Sequence, residues 1–145
     1  MSISRSALPV MVIASIGIAA GVLAADVPQD PSSFGRSEFQ ANCAVCHGTT
    51  GRGDGPLAST FLPQAPPDLT TYAHRYGGSF PWRLAWVTID GRPYEVECPR
   101  ESDMPAWGSH FYRDAATGPN RELDTELQVS ARIEALVGYL ASIQQ

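Results

Sequence analysis

Lysine is absent from this chain of 145 residues; all 10 basic side chains are arginine. That excludes Schiff-base chemistry on lysine and a phosphate loop built around one. Positive charge is scarce in general. Fifteen acidic residues leave a net charge of −5 and a pI near 5.0, a poor balance for a nucleic-acid binder, which needs surplus positive charge against phosphates. Three cysteines are too few for a disulfide scaffold. Long periodic segments are few, because 12 prolines and 13 glycines break much of the chain into loop. What is present suits one packed domain: the length fits a single core, and 43% hydrophobic content excludes a disordered chain. No internal repeat is found.

The N-terminus is organised differently from the rest. Residues 2–6 are polar and carry Arg5. An apolar run follows from Ala7 to Ala25, broken by Pro9, Ser15 and glycines, and ends Val22-Leu23-Ala24-Ala25-Asp26. This is the pattern of an export signal with a small-residue cleavage site. We expect residues 1–24 to be a signal peptide, cut after Ala24 with Ala25 as the next choice. The product would be periplasmic; left uncleaved, the run would act as a membrane anchor. Cleavage removes Arg5, Met1 and Met11. It leaves nine arginines against 15 acidic residues, a charge of −6, and a single methionine, Met104. Residues 25–33, with Pro28 and Pro31, read as a flexible leader in which Ser33 caps the first helix. Residues 34–145 form the domain.

One motif carries chemistry. Cys43-Ala44-Val45-Cys46-His47 is C-x-x-C-H, the attachment signature of c-type haem. Two thiols three positions apart on a helical turn can each reach one vinyl group of a porphyrin, and the histidine that follows can reach the iron. Two other readings compete. A thioredoxin-like pair needs a βαβ setting. A zinc site needs a second ligand pair, and only Cys98, His74 and His110 are left to supply it. Export favours haem, because c-type haem is attached outside the cytoplasm. One C-x-x-C-H predicts one haem.

An electron-carrying haem usually takes Met or His opposite the proximal His. Met104 lies 57 residues after His47, in Asp103-Met104-Pro105-Ala106-Trp107-Gly108, where Pro105 stiffens the loop. His74 and His110 are its competitors. Trp82, Trp86 and Trp107 read as packing against porphyrin, with Trp107 the best placed, three residues from Met104. Cys98 is the odd thiol. In an exported protein it suggests a disulfide dimer or a free thiol, against a buried small hydrophobe.

The chain punctuates itself into helices. Pro81 to Ile89 predicts a helix with Pro81 in its first turn and Gly91 near its end. Thr125-x-x-Gln128 matches a capping box, followed by Val129, Ile133, Leu136, Val137 and Leu140 on one face. Gly48 to Gly78 predicts loops with one short helix. Residues 92–103 read as a polar, acidic stretch, and Arg113 to Arg121 as an insertion.

Taken together, Gly35-x-x-x-Phe39-x-x-x-Cys43, the C-x-x-C-H, Met104-Pro105-Ala106-Trp107-Gly108 and Leu136-x-x-Tyr139-Leu140 resemble a class I c-type cytochrome. The resemblance covers most of the chain after the signal. It implies an all-α, loop-rich domain holding one covalent haem c. The N- and C-terminal helices would cross at Gly35, Phe39, Leu136 and Tyr139. Cys43, Cys46, His47, Met104 and Trp107 would bind the haem, with His47 and Met104 on the iron. Pro66-Pro67-Asp68-Leu69 resembles the segment whose proline carbonyl accepts a bond from the proximal histidine, a role that falls to Pro67.

The resemblance implies electron transfer without substrate chemistry, exchanged with redox partner proteins. A second reading makes the chain a permanent subunit of a larger periplasmic oxidoreductase, with the 113–121 stretch as docking surface. A third makes it a haem enzyme or gas sensor with an open sixth site. Carriers of this family often dock through lysines. This one would have to dock through arginines or meet a partner with a basic or mostly apolar face.

Overall fold

The computed structural model describes residues 31–93 and 103–145. The described residues are all helical and contain no strand. Helix α1 spans Pro31–Asn42, α2 Ala44–His47, α3 Ala58–Phe61, α4 Tyr72–Arg75, α5 Trp82–Asp90, α6 Trp107–Thr117 and α7 Thr125–Ser142. A 3₁₀ turn at Leu69–Thr71 runs into α4. No helix among the described residues is long and apolar enough to cross a membrane. The signal segment, Cys98 and most of the acidic 92–103 stretch lie outside the described residues.

The frame is α1 packed on α7, with α5 and α6 laid against α7. Gly35, Phe39 and Cys43 recur at four-residue steps, so they share one face, and all three are buried. At Gly35 the two backbones nearly touch: a Cβ there would overlap the Ala135 carbonyl of α7. Phe39 fills the space beside it, its ring 5.3 Å from that of Tyr139. From α7, Val129, Ile133, Leu136, Val137 and Leu140 are all buried, as their spacing predicted. Phe111 of α6 and Ala85 and Ile89 of α5 complete the core.

An ion cluster pins the far side of this frame. Arg132 of α7 bonds Glu38 of α1 at 2.8 Å and Asp114 of α6 at 3.2 Å. Its guanidinium sits 3.9 Å above the Phe111 ring. A planar cation that both forks to carboxylates and stacks on an aromatic is a task for arginine rather than lysine.

Several boundaries differ from expectation. Helix α1 begins at Pro31, so residues 31–33 belong to the helix and not to a leader, and Ser33 lies inside the first turn. Proline tolerates that position because first-turn N–H groups have no intrahelical acceptor. Helix α7 is capped by Asp124, whose side chain accepts from the Leu127 N–H at 2.9 Å. Thr125 is already helical, and Gln128 turns outward to the Asn120 and Leu123 carbonyls. Asp and Thr are both good caps, so adjacent ones leave the register open. Three short helical pieces, not one, occupy 48–78. Most of the stretch read as an insertion is the second half of α6, which runs to Thr117. Its face is Gly108, Phe111 and Ala115, too small and mixed a pattern to announce a helix. Helix α5 starts at Trp82, one residue later than expected, with Pro81 just before it and not in its first turn; it runs through Asp90 and stops at Gly91, which takes the left-handed conformation at φ 62°.

Candidate haem-binding site

Cys43 closes α1, its N–H donating to the Phe39 carbonyl at 2.9 Å. Its own carbonyl accepts from Cys46 N at 3.1 Å and His47 N at 2.9 Å. Both cysteines and the histidine therefore stand on a single turn. The chain then doubles back along that turn. Carbonyls of Val45, Cys46 and His47 accept from the N–H groups of Leu57, Gly55 and Gly53, at 3.0, 3.1 and 2.8 Å. The glycine-rich 48–56 stretch is what permits this. Gly53 has φ 81°, and a Cβ on it would overlap the Pro66 carbonyl. The same loop recruits the proline segment, because Leu69 N donates to the Gly51 carbonyl at 2.7 Å.

The residues that follow α7 also hold that segment. Gln144 donates to the Leu69 carbonyl at 2.9 Å and accepts from Ala73 N at 2.7 Å. Gln145 N donates to the Thr70 carbonyl at 2.9 Å. Asp68 caps the 3₁₀ turn, accepting from the Thr70 N–H at 2.8 Å and its hydroxyl at 2.6 Å. The Thr70 hydroxyl above all holds its carboxyl below the usual carboxylate range; desolvation opposes this, and the Thr70 N–H, Arg52 and Arg75 add to the lowering.

The electrostatics separate the three motif residues. Burial, then Glu38 and then Cys46, push the Cys43 thiol up to about 12. Both Cys43 and Cys46 are free thiols. A thioredoxin-like pair needs a βαβ setting, and the described residues contain no strand. Burial pushes the His47 ring toward its neutral form, the form that binds a metal. The Pro67 backbone carbonyl acts against this shift, favouring the protonated ring. Even so, the buried Nδ1 has no hydrogen-bond partner of proper distance and angle. The carbonyl therefore faces the ring without closing a full bond.

Met104 is partly buried and packs against the core cluster that contains Cys43 and Ala44. Trp107 opens α6, packs on the same cluster, and lies 5.8 Å from Phe111 and 5.4 Å from His110, ring to ring. The competing histidines stand elsewhere. His74 is exposed on α4. His110 is exposed, and its Nδ1 lies 3.0 Å from Arg113. Among the described residues, no three His, Cys, Asp or Glu side chains group as a metal site.

One feature of this region was not read from the sequence. Asp90 is completely buried at the end of α5, with one carboxylate oxygen on Arg92. Its only signal was a charge set between Ile89 and Gly91, which looks like an ordinary solvated helix end.

The donor set fits covalent haem: two free thiols on one turn, a half-buried imidazole pushed toward its neutral form, and one thioether packed on the same core. Residues 33–81 match the family model described as Cytochrome c. No curated protein and no solved structure matches the chain.

Proposed function

We propose that this chain, whose residues 33–81 match the cytochrome c family model and whose helices are its only regular elements among the described residues, is an exported one-electron carrier of the class I type in which His47 and Met104 would ligate the iron. The domain implies one covalently bound haem c with its iron, and electron transfer as its use. When bound, the haem supplies the reversible one-electron chemistry.

The observation that carries the ligand reading is His47 on the same turn as two free cysteines, its buried Nδ1 on the side of the Pro67 carbonyl, which would leave the other ring nitrogen for the iron. Cys43 and Cys46 would tether the group. His47, pushed toward its neutral form by burial, would offer a lone pair, and a closed bond to the Pro67 carbonyl would orient the ring. Oriented imidazoles are better donors and hold one tautomer. Met104 would approach from the loop that leads into α6, stiffened by Pro105 and backed by Trp107. Held from both sides, such a site has no open position for a substrate. The chain then has no catalysis of its own. Without lysine, its redox partners would be met through arginines or an apolar face. The periplasm is the compartment that the N-terminal signal and covalent haem favour together.

The test is the optical spectrum of the oxidised protein. A methionine–iron charge-transfer band is expected, and Met104→Ala should abolish it. A reduced wild-type protein that readily binds carbon monoxide would overturn the reading in favour of an open-site enzyme or sensor. An elution size well above that of a monomer would favour a complex subunit over a free carrier.

A further inference from the structure

The end of α5 holds an arrangement that the electron-carrier reading leaves unexplained. Asp90 is 0% exposed. Its Oδ1 accepts from Arg92 Nε at 2.8 Å, while its Oδ2 is buried without a partner. A buried carboxylate oxygen left unsatisfied costs stability, so an apolar residue would pack here at less cost. Arg92 goes on to fork onto Glu126 in the first turn of α7, with contacts of 2.9, 3.1 and 3.1 Å. Asp90, Arg92 and Glu126 thus form a chain from the end of α5 to the start of α7.

The other half of the observation is what lies on this chain. A Cβ on Gly108 would overlap Asp90 Oδ1 and come within 2.7 Å of Arg92 Nε. A Cβ on Gly91 would come within 2.8 Å of the Ala106 Cα. Gly108, four positions after Met104, therefore sits directly on Asp90 and Arg92 without a side chain between, and Ala106, two positions after it, sits against Gly91, the residue that joins them. The segment that leads from Met104 into α6 is thus seated on the end of α5.

We propose that Asp90, Arg92 and Glu126 are positioning residues that clamp the methionine loop and set how firmly Met104 is held in the haem site. The proposal rests on Met104 being the axial ligand. Orientation explains the orphaned oxygen. The carboxylate is retained to fix Arg92 as a wall under Gly108, and the unsatisfied Oδ2 is the cost of that placement. Local opening of a loop is governed by the contacts at its seat, not by the stability of the whole domain. Weakening the clamp should therefore speed opening selectively.

The test uses haem-loaded, oxidised protein and imidazole as the competing ligand, with the rate of loss of the methionine–iron band at saturating imidazole as readout. Asp90→Asn removes the charge at nearly constant shape. Glu126→Gln, at a more exposed position, loosens the outer end with little risk to folding. Arg132→Gln is the control, because it breaks the Glu38 and Asp114 pairs on the other side of the frame. The clamp predicts roughly tenfold faster displacement in Asp90→Asn, a smaller acceleration in Glu126→Gln, and the wild-type rate in Arg132→Gln. Wild-type rates in both clamp variants would overturn the proposal, as would equal acceleration in Arg132→Gln, which would mark a global effect. A wild-type protein with no methionine band would instead overturn the ligand reading itself.

Discussion

Gly35→Ala is predicted to destabilise the protein although it places a better helix former inside a helix. Intrinsic propensity alone favours alanine over glycine by about 1 kcal/mol. Packing opposes it. The new methyl would overlap the Ala135 carbonyl, come within 2.7 Å of the Ala135 carbonyl carbon, and lie 3.0 Å from the Tyr139 Cβ. Two of those three atoms are backbone, so relief requires α1 and α7 to separate. Overpacking a tight contact costs about 1–3 kcal/mol, and a backbone clash belongs at the upper end. The net loss is then about 2 kcal/mol, or a fall in Tm of roughly 8 °C for a chain of this size. Gly138 in α7 supplies the internal comparison, since a Cβ there meets nothing within 4 Å. Gly138→Ala should raise stability by about 0.8–1 kcal/mol from propensity alone. Both variants are to be measured as haem-loaded protein by thermal and urea unfolding. A Gly35→Ala protein as stable as wild type would refute the close approach of α1 and α7.

Asp124→Ala should cost about 1 kcal/mol in urea unfolding through loss of the α7 cap, while Thr125→Ala should cost much less; the reverse order would restore Thr125 as the cap. Thr70→Val should raise the Asp68 pKa toward its ordinary value, followed by carboxyl NMR titration, because the Thr70 hydroxyl is the main cause of its lowering. The sign follows from linkage. A lowered folded-state pKa gives stability that is present above the unfolded value and is lost as pH falls through the folded one. Thr70→Val should therefore flatten the acid limb of the stability profile, and an unchanged limb would count against this bond.

Much of the site was legible because covalent chemistry demands a fixed spacing. Cys43, Cys46 and His47 could be read as one turn, and the glycines after them as a loop of unusual backbone, before any coordinates. Helix α7 was legible from its apolar period over 18 residues. Short elements were not, since a four-residue helix such as α4 is too brief to show a period and is tied down by a distant partner, the Gln144 side chain on Ala73 N. Gln144, which ties the chain end to residues 69–73, has no local signature at all. Asp90 was missed for a related reason. Sequence gives its charge, but total burial arises only when Gly108 and Arg92 close over it. Helix α6 was hidden because Gly108, Phe111 and Ala115 form a weak apolar face that works only against α7.

The central claim is covalent haem at Cys43 and Cys46, and denaturing mass spectrometry of protein expressed with export and haem attachment tests it most directly. The account predicts the polypeptide mass plus one haem, retained through acid and organic solvent, with no attachment in a Cys43→Ser, Cys46→Ser double variant. A wild-type mass equal to the polypeptide alone would contradict it.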